Sequence, residues 1–141
     1  MAGGDPLDDH VGVALRRAYQ HAVANLNARI APFDVSPLQF SVLVRLHDDG
    51  ARTQNSLGRS IDMEPANIAA LVARLEQRGL VARDPDPHDR RAVRVTITPA
   101  GTELLAAVRP EADAANAGTL SVLAPAERAQ LMGLLERLTQ G

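Results

Sequence analysis

The chain has 141 residues, which fits one domain of ordinary size. Its formal net charge of −2 argues against a protein that coats nucleic acids non-specifically. It contains no cysteine, so disulfides, thiolate metal sites and thiol redox sensors are excluded. Its sequence contains no apolar run of membrane-spanning length and no signal peptide at the N-terminus, so we expect a cytoplasmic protein with no membrane partner.

The first helix is predicted from an apolar stripe. Residues 1–6 are expected to form a flexible tail, and a helix then runs from about Leu7 to Ala31, ended by Pro32. Its apolar side chains recur at helical spacing at Val11, Leu15, Ala18, Ala22, Leu26 and Ile30. Ser36 followed by Pro37 predicts the start of a second helix. Between Leu38 and Leu46 this helix is apolar around most of its circumference, which predicts burial.

The middle of the chain has the pattern of a helix-turn-helix. Thr53 can cap a short third helix, and Pro65 fits the first position of a fourth. The fourth helix carries Ile68, Leu71, Val72 and Leu75 on one face, and Gly79 can end it. Two short helices joined by a tight turn are typical of DNA-binding lobes.

A charged hairpin follows the fourth helix. Leu80–Arg83 is predicted as its first strand, and two prolines and three acids predict an irregular segment after it. Val93, Val95 and Ile97 alternate with polar residues, as expected for a half-buried second strand. A hairpin with a basic tip directly after a helix is typical of the wing of a winged helix, which touches nucleic-acid backbones and reaches into the minor groove.

The ends of the chain add about three more helices. Thr98 and Pro99 begin the fifth, Pro110 is expected to kink or break it, and residues 112–117 predict close helix contacts because they are rich in alanine. The last helix carries Leu131, Leu134, Leu135 and Leu138 at helical spacing. A second copy could cover these stripes, so we expect a homodimer that places two recognition helices about one DNA turn apart on a palindromic operator.

The expected fold class is therefore mainly α with a small β-wing. A winged helix-turn-helix lobe at residues 36–98 would carry the DNA-binding surface. Dimerisation helices would come from residues 7–35 and 99–141. Residues 51–94 contain eight Arg against six Asp and Glu, so the predicted lobe is more basic than the rest of the chain.

Four segments give the sequence a family resemblance. They are Ser36–Phe40, Leu57–Ile61, Arg74–Val81 and the wing run Asp84–Gly101. With them the chain resembles the MarR family of bacterial transcriptional regulators. The resemblance implies a triangular dimer with a winged helix-turn-helix in each lobe. It also implies a pocket between the dimerisation helices and the DNA-binding lobe, where small anionic or phenolic ligands weaken DNA binding, so a ligand-released repressor is expected.

The resemblance places a DNA-contacting arginine at the wing tip, where Arg91 stands. This side chain would enter the minor groove, where narrow AT-rich stretches attract cations, and Asp89 would brace it by an ion pair. Arg90 and Arg94 could bind phosphate or pair with the acids of the wing. The alternative for Arg91 is a solvated charge of a turn.

The fourth helix would present its first turns to the major groove. Asn67 can pair with an adenine edge, and Ala66 or Ala70, beside Pro65, could pack on a thymine methyl. The family more often has hydroxyl and basic residues here, so this departure shifts the expected readout toward the wing and DNA shape. Two further sets are open between DNA contact and a structural role: Gln54, Asn55 and Ser56 as phosphate ligands or plain surface, and Arg74 as a phosphate ligand or salt-bridge partner.

An effector pocket is predicted more loosely. Arg16 and Arg17 lie where some similar regulators that sense aromatic acids hold a carboxylate-binding arginine, and Tyr19, Phe40 and Arg45 could line the same space. The alternative places Arg16 and Arg17 as surface charges at a dimer edge. The four histidines have no metal-ligand spacing and no catalytic group is recognisable, so we expect no cofactor and no enzyme activity. An architectural or protein-interaction dimer without ligand control is the other class of function considered.

Overall fold

The computed structural model describes residues 6–141, except the side chain of Asp8, so most of the predicted tail lies outside the described residues. Within this range the chain forms six α-helices and three strands, which confirms the mainly α fold class with a small β-sheet. In chain order the elements are α1 (Val11–Ile30), α2 (Pro37–Asp49), β1 (Arg52–Thr53), α3 (Gln54–Ser60), α4 (Pro65–Gln77), β2 (Val81–Pro85), β3 (Val93–Ile97), α5 (Pro99–Leu120) and α6 (Pro125–Gln140). A 3-10 turn at Pro6–Asp9 precedes α1, so that helix begins later than predicted.

The chain divides into two compact units. A central unit spans Ile30–Glu111, and a terminal unit combines residues 6–29 with Ala112–Gly141. The central unit is therefore wider than the predicted lobe at 36–98, because it includes the first half of α5. The roles predicted for the two parts stay predictions.

Side-chain caps fix the helix starts of the central unit. Ser36 Oγ accepts a hydrogen bond from the N–H of Gln39 at 3.1 Å, and Gln39 Oε1 accepts one from the N–H of Ser36 at 3.1 Å. This reciprocal pair is a capping box, which satisfies two N–H groups that the helix leaves unpaired. Thr53 Oγ1 accepts from the N–H of Ser56 at 3.2 Å. Gly79 follows α4 with a φ of 73°, so the predicted caps at these positions are confirmed.

The three strands form an antiparallel sheet in the order β1-β3-β2. β3 pairs with β1 through Arg52 opposite Val95, and with β2 through Arg83 opposite Val95. β1 was not predicted, because two residues are too few to show a period. β2 also continues to Pro85, beyond the predicted end at Arg83. Proline is tolerated there because β2 is an edge strand, and its missing N–H costs no hydrogen bond on the open side.

The core of the central unit is built from aliphatic side chains. It is formed by Val42, Leu43, Leu46, Leu57, Ile68, Val72, Leu75, Leu80, Val81, Val95 and Leu105. These come from α2, α3, α4, the wing strands and α5, so one apolar cluster joins the helix-turn-helix to the sheet. Leu38 is 43% exposed, so the prediction that α2 is buried nearly all round was wrong at its first turn.

Thr98 joins the end of the wing to the start of α5. Its Oγ1 accepts from the N–H of Gly101 at 3.1 Å and donates to the carbonyl of Gly79 at 2.6 Å. We expect Thr98→Ala to lower the free energy of unfolding by about 1–2 kcal/mol, since a cap is lost and a carbonyl loses its donor. Urea denaturation at fixed protomer concentration measures this change. Thr98→Ser, which keeps the hydroxyl, is the control, and equal losses in both variants would contradict the role of the hydroxyl.

In the terminal unit, the second half of α5 lies beside α1, since residues of both helices line one recess. Ala112 and Ala115 are each 5% exposed, which agrees with the predicted close packing of the alanine-rich stretch. Asn25 Nδ2 donates to Thr119 Oγ1 at 2.9 Å, so a polar bond joins the two helices as well.

α5 continues through Pro110 without interruption, so the alternative that proline breaks this helix was wrong. A proline here removes one hydrogen bond, to the carbonyl of Ala106 four residues earlier. Both Pro110 and Ala106 are exposed, so water can satisfy that carbonyl and the helix persists.

α6 carries an apolar face that residues 6–141 leave partly uncovered. Leu134 and Leu138 on this face are 45% and 58% exposed, and no residue of α6 is buried. Along residues 6–141, no helix has both the length and the apolar character required to span a bilayer.

Candidate nucleic-acid interface

α4 has one buried face and one exposed face. Ile68, Val72 and Leu75 are each 0% exposed. The predicted DNA-contacting residues all lie on the exposed side: Pro65, Ala66, Asn67, Ala70 and Arg74. Arg74 makes no salt bridge within residues 6–141, so the structure does not support the salt-bridge alternative for this side chain.

A recess brings the start of α3 and the wing together. It has a volume of about 230 Å³ and is lined by Thr53, Gln54, Asn55, Arg91, Ala92 and Val93. Three predicted DNA-contacting residues therefore line the same recess: Gln54 and Asn55 from α3, and Arg91 from the wing, which is distant in sequence. The lining includes one cation and no acid, so the recess favours an anion such as a phosphate.

Two residues at the start of α3 differ from the prediction in detail. The N–H of Ser56 donates to Thr53 Oγ1 in the helix cap. This N–H is therefore not available to a phosphate, contrary to the prediction. Gln54 Oε1 is buried and has no hydrogen-bond partner within the described residues. A phosphate accepts hydrogen bonds, so only the amide N–H groups of Gln54 could bind it.

A second recess lies on the wing itself. It measures about 270 Å³ and is lined by Arg83, Asp84, Pro85, Arg90, Arg91, Ala92 and Val93. Arg91 borders both recesses, whereas Arg90 borders only this one. The wing tip therefore presents two exposed guanidinium groups close together.

The acids of the wing loop hold its backbone. Asp86 Oδ2 accepts from the N–H groups of His88 and Asp89 at 3.1 and 3.0 Å. Asp89 Oδ1 accepts from the N–H of Arg91 at 3.0 Å. The predicted ion pair between Asp89 and the guanidinium of Arg91 was wrong, because the Asp89 carboxylate binds the backbone N–H of Arg91 and no ion pair of Arg91 occurs within residues 6–141. Asp89 thus shapes the turn and leaves the Arg91 side chain available.

Arg94 lies in the middle of the sheet. It is half-buried on β3, opposite Asp84 of β2 and Thr53 of β1. An acid directly across the strand pair offsets its charge, so Arg94 is a weaker DNA-contact candidate than Arg90 or Arg91.

The predicted effector residues fall in both units. In the terminal unit, Arg16, Arg17 and Tyr19 are exposed on α1, and Tyr19 is 65% exposed. In the central unit, Phe40 packs partly against the core, and the guanidinium of Arg45 lies 3.8 Å from the carboxylate of Asp49. The predicted pocket stays a prediction.

The terminal unit also contains a recess of its own. It measures about 320 Å³ and is lined by Asn25, Ala28, Arg29, Ala114, Ala115 and Gly118. None of the predicted effector residues lines it. Among the described residues, no cluster of three or more histidines and acids could hold a metal ion.

Sequence reasoning missed two pairs of charged side chains in the central unit. Glu76 on α4 binds Arg83 on β2, with its Oε1 3.0 Å from Arg83 Nη2. Asp48 at the end of α2 binds Arg109 on α5, with 2.8 Å between Oδ1 and Nη2. Hydrogen bonds from these arginines lower the pKa of both carboxyl groups below their usual values. No local pattern connects such residues, because their partners come from different elements.

Sequence comparison identifies the family of this winged fold. The model of the MarR family matches residues 35–93. The HTH-type transcriptional repressor NicR of Pseudomonas putida is 34% identical over 132 residues, which cover 94% of this chain and 84% of NicR. This chain belongs to the MarR family. The resemblance expected from the sequence is therefore confirmed, and this MarR protein is a DNA-binding transcriptional regulator by family.

Two solved relatives extend the likeness to the whole fold. BpsR of Bordetella bronchiseptica, described in terms of the regulation of its DNA binding by 6-hydroxynicotinic acid, is 34% identical with a TM-score of 0.91, covering 99% of both chains. The transcriptional repressor CouR, solved on a 23-mer DNA duplex, is 28% identical with a TM-score of 0.88, covering 94% of both chains. Structures similar to this MarR protein thus include one bound to DNA and one described with an effector.

Proposed function

We propose that this MarR family protein is a dimeric repressor that binds a palindromic operator and is released by a small aromatic acid. The observation that carries the DNA-binding part is the recess shared by the start of α3 and Arg91. It joins a helix of the helix-turn-helix to the wing around one acid-free surface.

The proposed contacts divide into positioning and reading. Gln54 and Asn55 would hold a phosphate and so fix the lobe on the duplex. Arg91, with Arg90 beside it, would enter the adjacent minor groove, where negative potential is enhanced in narrow stretches. Asn67 on the exposed face of α4 would read an adenine in the major groove.

The effector would act by shifting a conformational equilibrium. A ligand that prefers a lobe spacing unsuited to two successive major grooves lowers operator affinity by its differential binding energy, typically about 1–3 kcal/mol. The regulation of BpsR by 6-hydroxynicotinic acid supports an aromatic acid as the ligand class. Arg16 or Arg17 would bind the carboxylate through the planar fork of the guanidinium.

Fluorescence anisotropy on the gene's own upstream DNA tests the regulator. We expect the wild type to prefer this duplex over a scrambled duplex of equal composition at two salt concentrations, and Arg91→Ala to weaken the preference. Arg109→Ala is the matched control, since it removes one positive charge from the same unit at a residue bound to Asp48. Equal weak binding to both duplexes with steep salt dependence would support an architectural dimer instead.

The effector is tested on the same complex. We expect 6-hydroxynicotinic acid or a related aromatic carboxylate to lower anisotropy, and its neutral amide to have no effect. Arg16→Ala and Arg17→Ala identify which guanidinium binds the carboxylate. DNA release by none of these acids, with operator binding intact, would overturn ligand control while leaving the DNA-binding proposal in place.

Asn67 provides a direct test of base reading. We expect Asn67→Ala to reduce discrimination against a changed adenine in the operator by about 1–3 kcal/mol, because the bidentate amide contact is lost. Measuring affinities for operators with single base changes locates the adenine concerned. Asn116→Ala, at an exposed asparagine of α5 in the terminal unit, is the control. An unchanged base preference in Asn67→Ala would leave recognition to the wing and DNA shape.

A further inference from the structure

We propose that Glu76 is a positioning residue that fixes the wing to the recognition helix α4, so that Arg91 reaches DNA in register with the contacts of α4. The inference rests on the proposed function, because it assumes that the wing tip contacts the operator. It concerns two elements of one unit, α4 and β2.

The contact between Glu76 and Arg83 uses three hydrogen bonds. Glu76 Oε2 accepts from the backbone N–H of Arg83 at 3.1 Å. Glu76 Oε1 accepts from Nε and Nη2 of the same residue at 3.2 and 3.0 Å. One carboxylate therefore binds both the main chain and the planar guanidinium of Arg83, which restrains the strand in position and in orientation.

The backbone bond matters because β2 is an edge strand. The sheet order β1-β3-β2 leaves one side of β2 without a neighbouring strand. The N–H of Arg83 donates to Glu76 on α4, so it lies on that uncovered side. Glu76 thus adds a polar restraint on the open edge of β2, in addition to the apolar packing of Val81 and Val95 in the core.

The three hydrogen bonds between Glu76 and Arg83, called the clamp below, lie at the base of the wing. Arg83 also lines the recess that contains Arg90 and Arg91. The connection between α4 and β2 is a short turn through Gly79, which has a left-handed conformation with a φ of 73°. A small rotation at this base displaces the tip by a larger distance, because the strands extend from it.

The consequence for DNA binding is preorganisation. The clamp holds α4 and the wing together as one body. DNA binding then costs no free energy for aligning these two elements. The lowered pKa of Glu76, caused first by the hydrogen bonds from Arg83, agrees with a carboxylate held charged in this pair.

A double-mutant cycle on operator DNA tests the inference. Arg91→Ala, Glu76→Ala and the double variant are compared with the wild type by anisotropy. We expect each single change to weaken operator binding and the double variant to bind no worse than the weaker single variant. The resulting coupling should be about tenfold, within the usual range for residues that act through one network. Glu76→Gln keeps acceptor oxygen for the N–H of Arg83 and should show a smaller coupling of the same sign.

A matched control separates positioning from general stability. Asp48→Asn alters another carboxylate that binds an arginine of a different element in the same unit, and we expect its effect to add to that of Arg91→Ala without coupling. Thermal unfolding of each variant shows that binding is measured on folded protein, and Glu76→Gln replaces Glu76→Ala in the cycle if the latter does not fold.

The outcomes distinguish the inference from the proposed function. Additive losses for Glu76 and Arg91 would show a merely structural role for Glu76 and overturn the inference alone. The same holds if Arg91→Ala weakens binding and Glu76→Ala does not. An Arg91→Ala protein that binds the operator like the wild type would overturn the proposed wing contact, and the inference with it.

Discussion

Gly101→Ala is expected to lower the free energy of unfolding by about 3 kcal/mol or more, at the upper end for overpacked cores. A Cβ at Gly101 would overlap the carbonyl oxygen of Leu80 and lie 2.8 Å from Cγ1 of Ile97. The Leu80 carbonyl accepts a hydrogen bond from the N–H of Thr98 at 3.0 Å. Backbone held in this way cannot withdraw as a flexible side chain can, so α5 or the wing must move.

The measurement is urea denaturation at a fixed protomer concentration, because dimerisation would make apparent stability depend on concentration. Gly118→Ala is the control in the same helix, since a Cβ there meets nothing within 4 Å. We expect this control to be neutral or stabilised by up to about 1 kcal/mol, as glycine is unfavourable inside a helix. Equal midpoints for Gly101→Ala and wild type would contradict the close approach.

Local chemistry explains which parts of the fold could be predicted. The helix starts at Ser36, Thr53 and Thr98 depend on a hydroxyl and an N–H three residues later, and both are visible in a short stretch of sequence. The strand at Val93–Ile97 was visible for the same reason, through its two-residue period.

The rest of the fold depends on partners that are distant in sequence. β1 contains only Arg52 and Thr53 and exists because β3 pairs with it. Pro110 was expected to disturb α5, yet the cost of one lost hydrogen bond is smaller than the gain from packing the helix on both sides of it. Neither the pairing of β1 nor the continuity of α5 can be predicted from the neighbouring residues alone.

The candidate site likewise has features that the local sequence predicts and features that depend on other contacts. Exposure of Asn67 and Arg74 followed from helical spacing, and exposure of Arg91 followed from its place in a polar loop. The donor that Asp89 binds did not follow, because a carboxylate next to an arginine can accept from either its guanidinium or its backbone N–H. Glu76 gave no signal at all, since its role depends on how α4 and β2 meet.

Replacing Leu134 and Leu138 together by glutamate is expected to convert a dimer into monomers and to weaken operator binding by roughly 10²–10⁴-fold, the usual gain from linking two binding sites. Both leucines lie on the exposed apolar face of α6. Charges on this face are solvated in a monomer but would be buried without partners in an interface, which is strongly unfavourable. The protomer should therefore keep its fold while association is lost.

Sedimentation equilibrium and anisotropy on the same preparations measure both effects. Ala129→Glu with Gln140→Glu is the matched control, because it adds the same two charges on the opposite side of α6 at exposed positions. We expect this control to remain dimeric and to bind the operator. A Leu134 and Leu138 variant that stays dimeric would exclude this face as the interface. A monomer that binds the full operator as tightly as wild type would show instead that one lobe suffices. That result would contradict the proposal that two lobes read a palindromic operator.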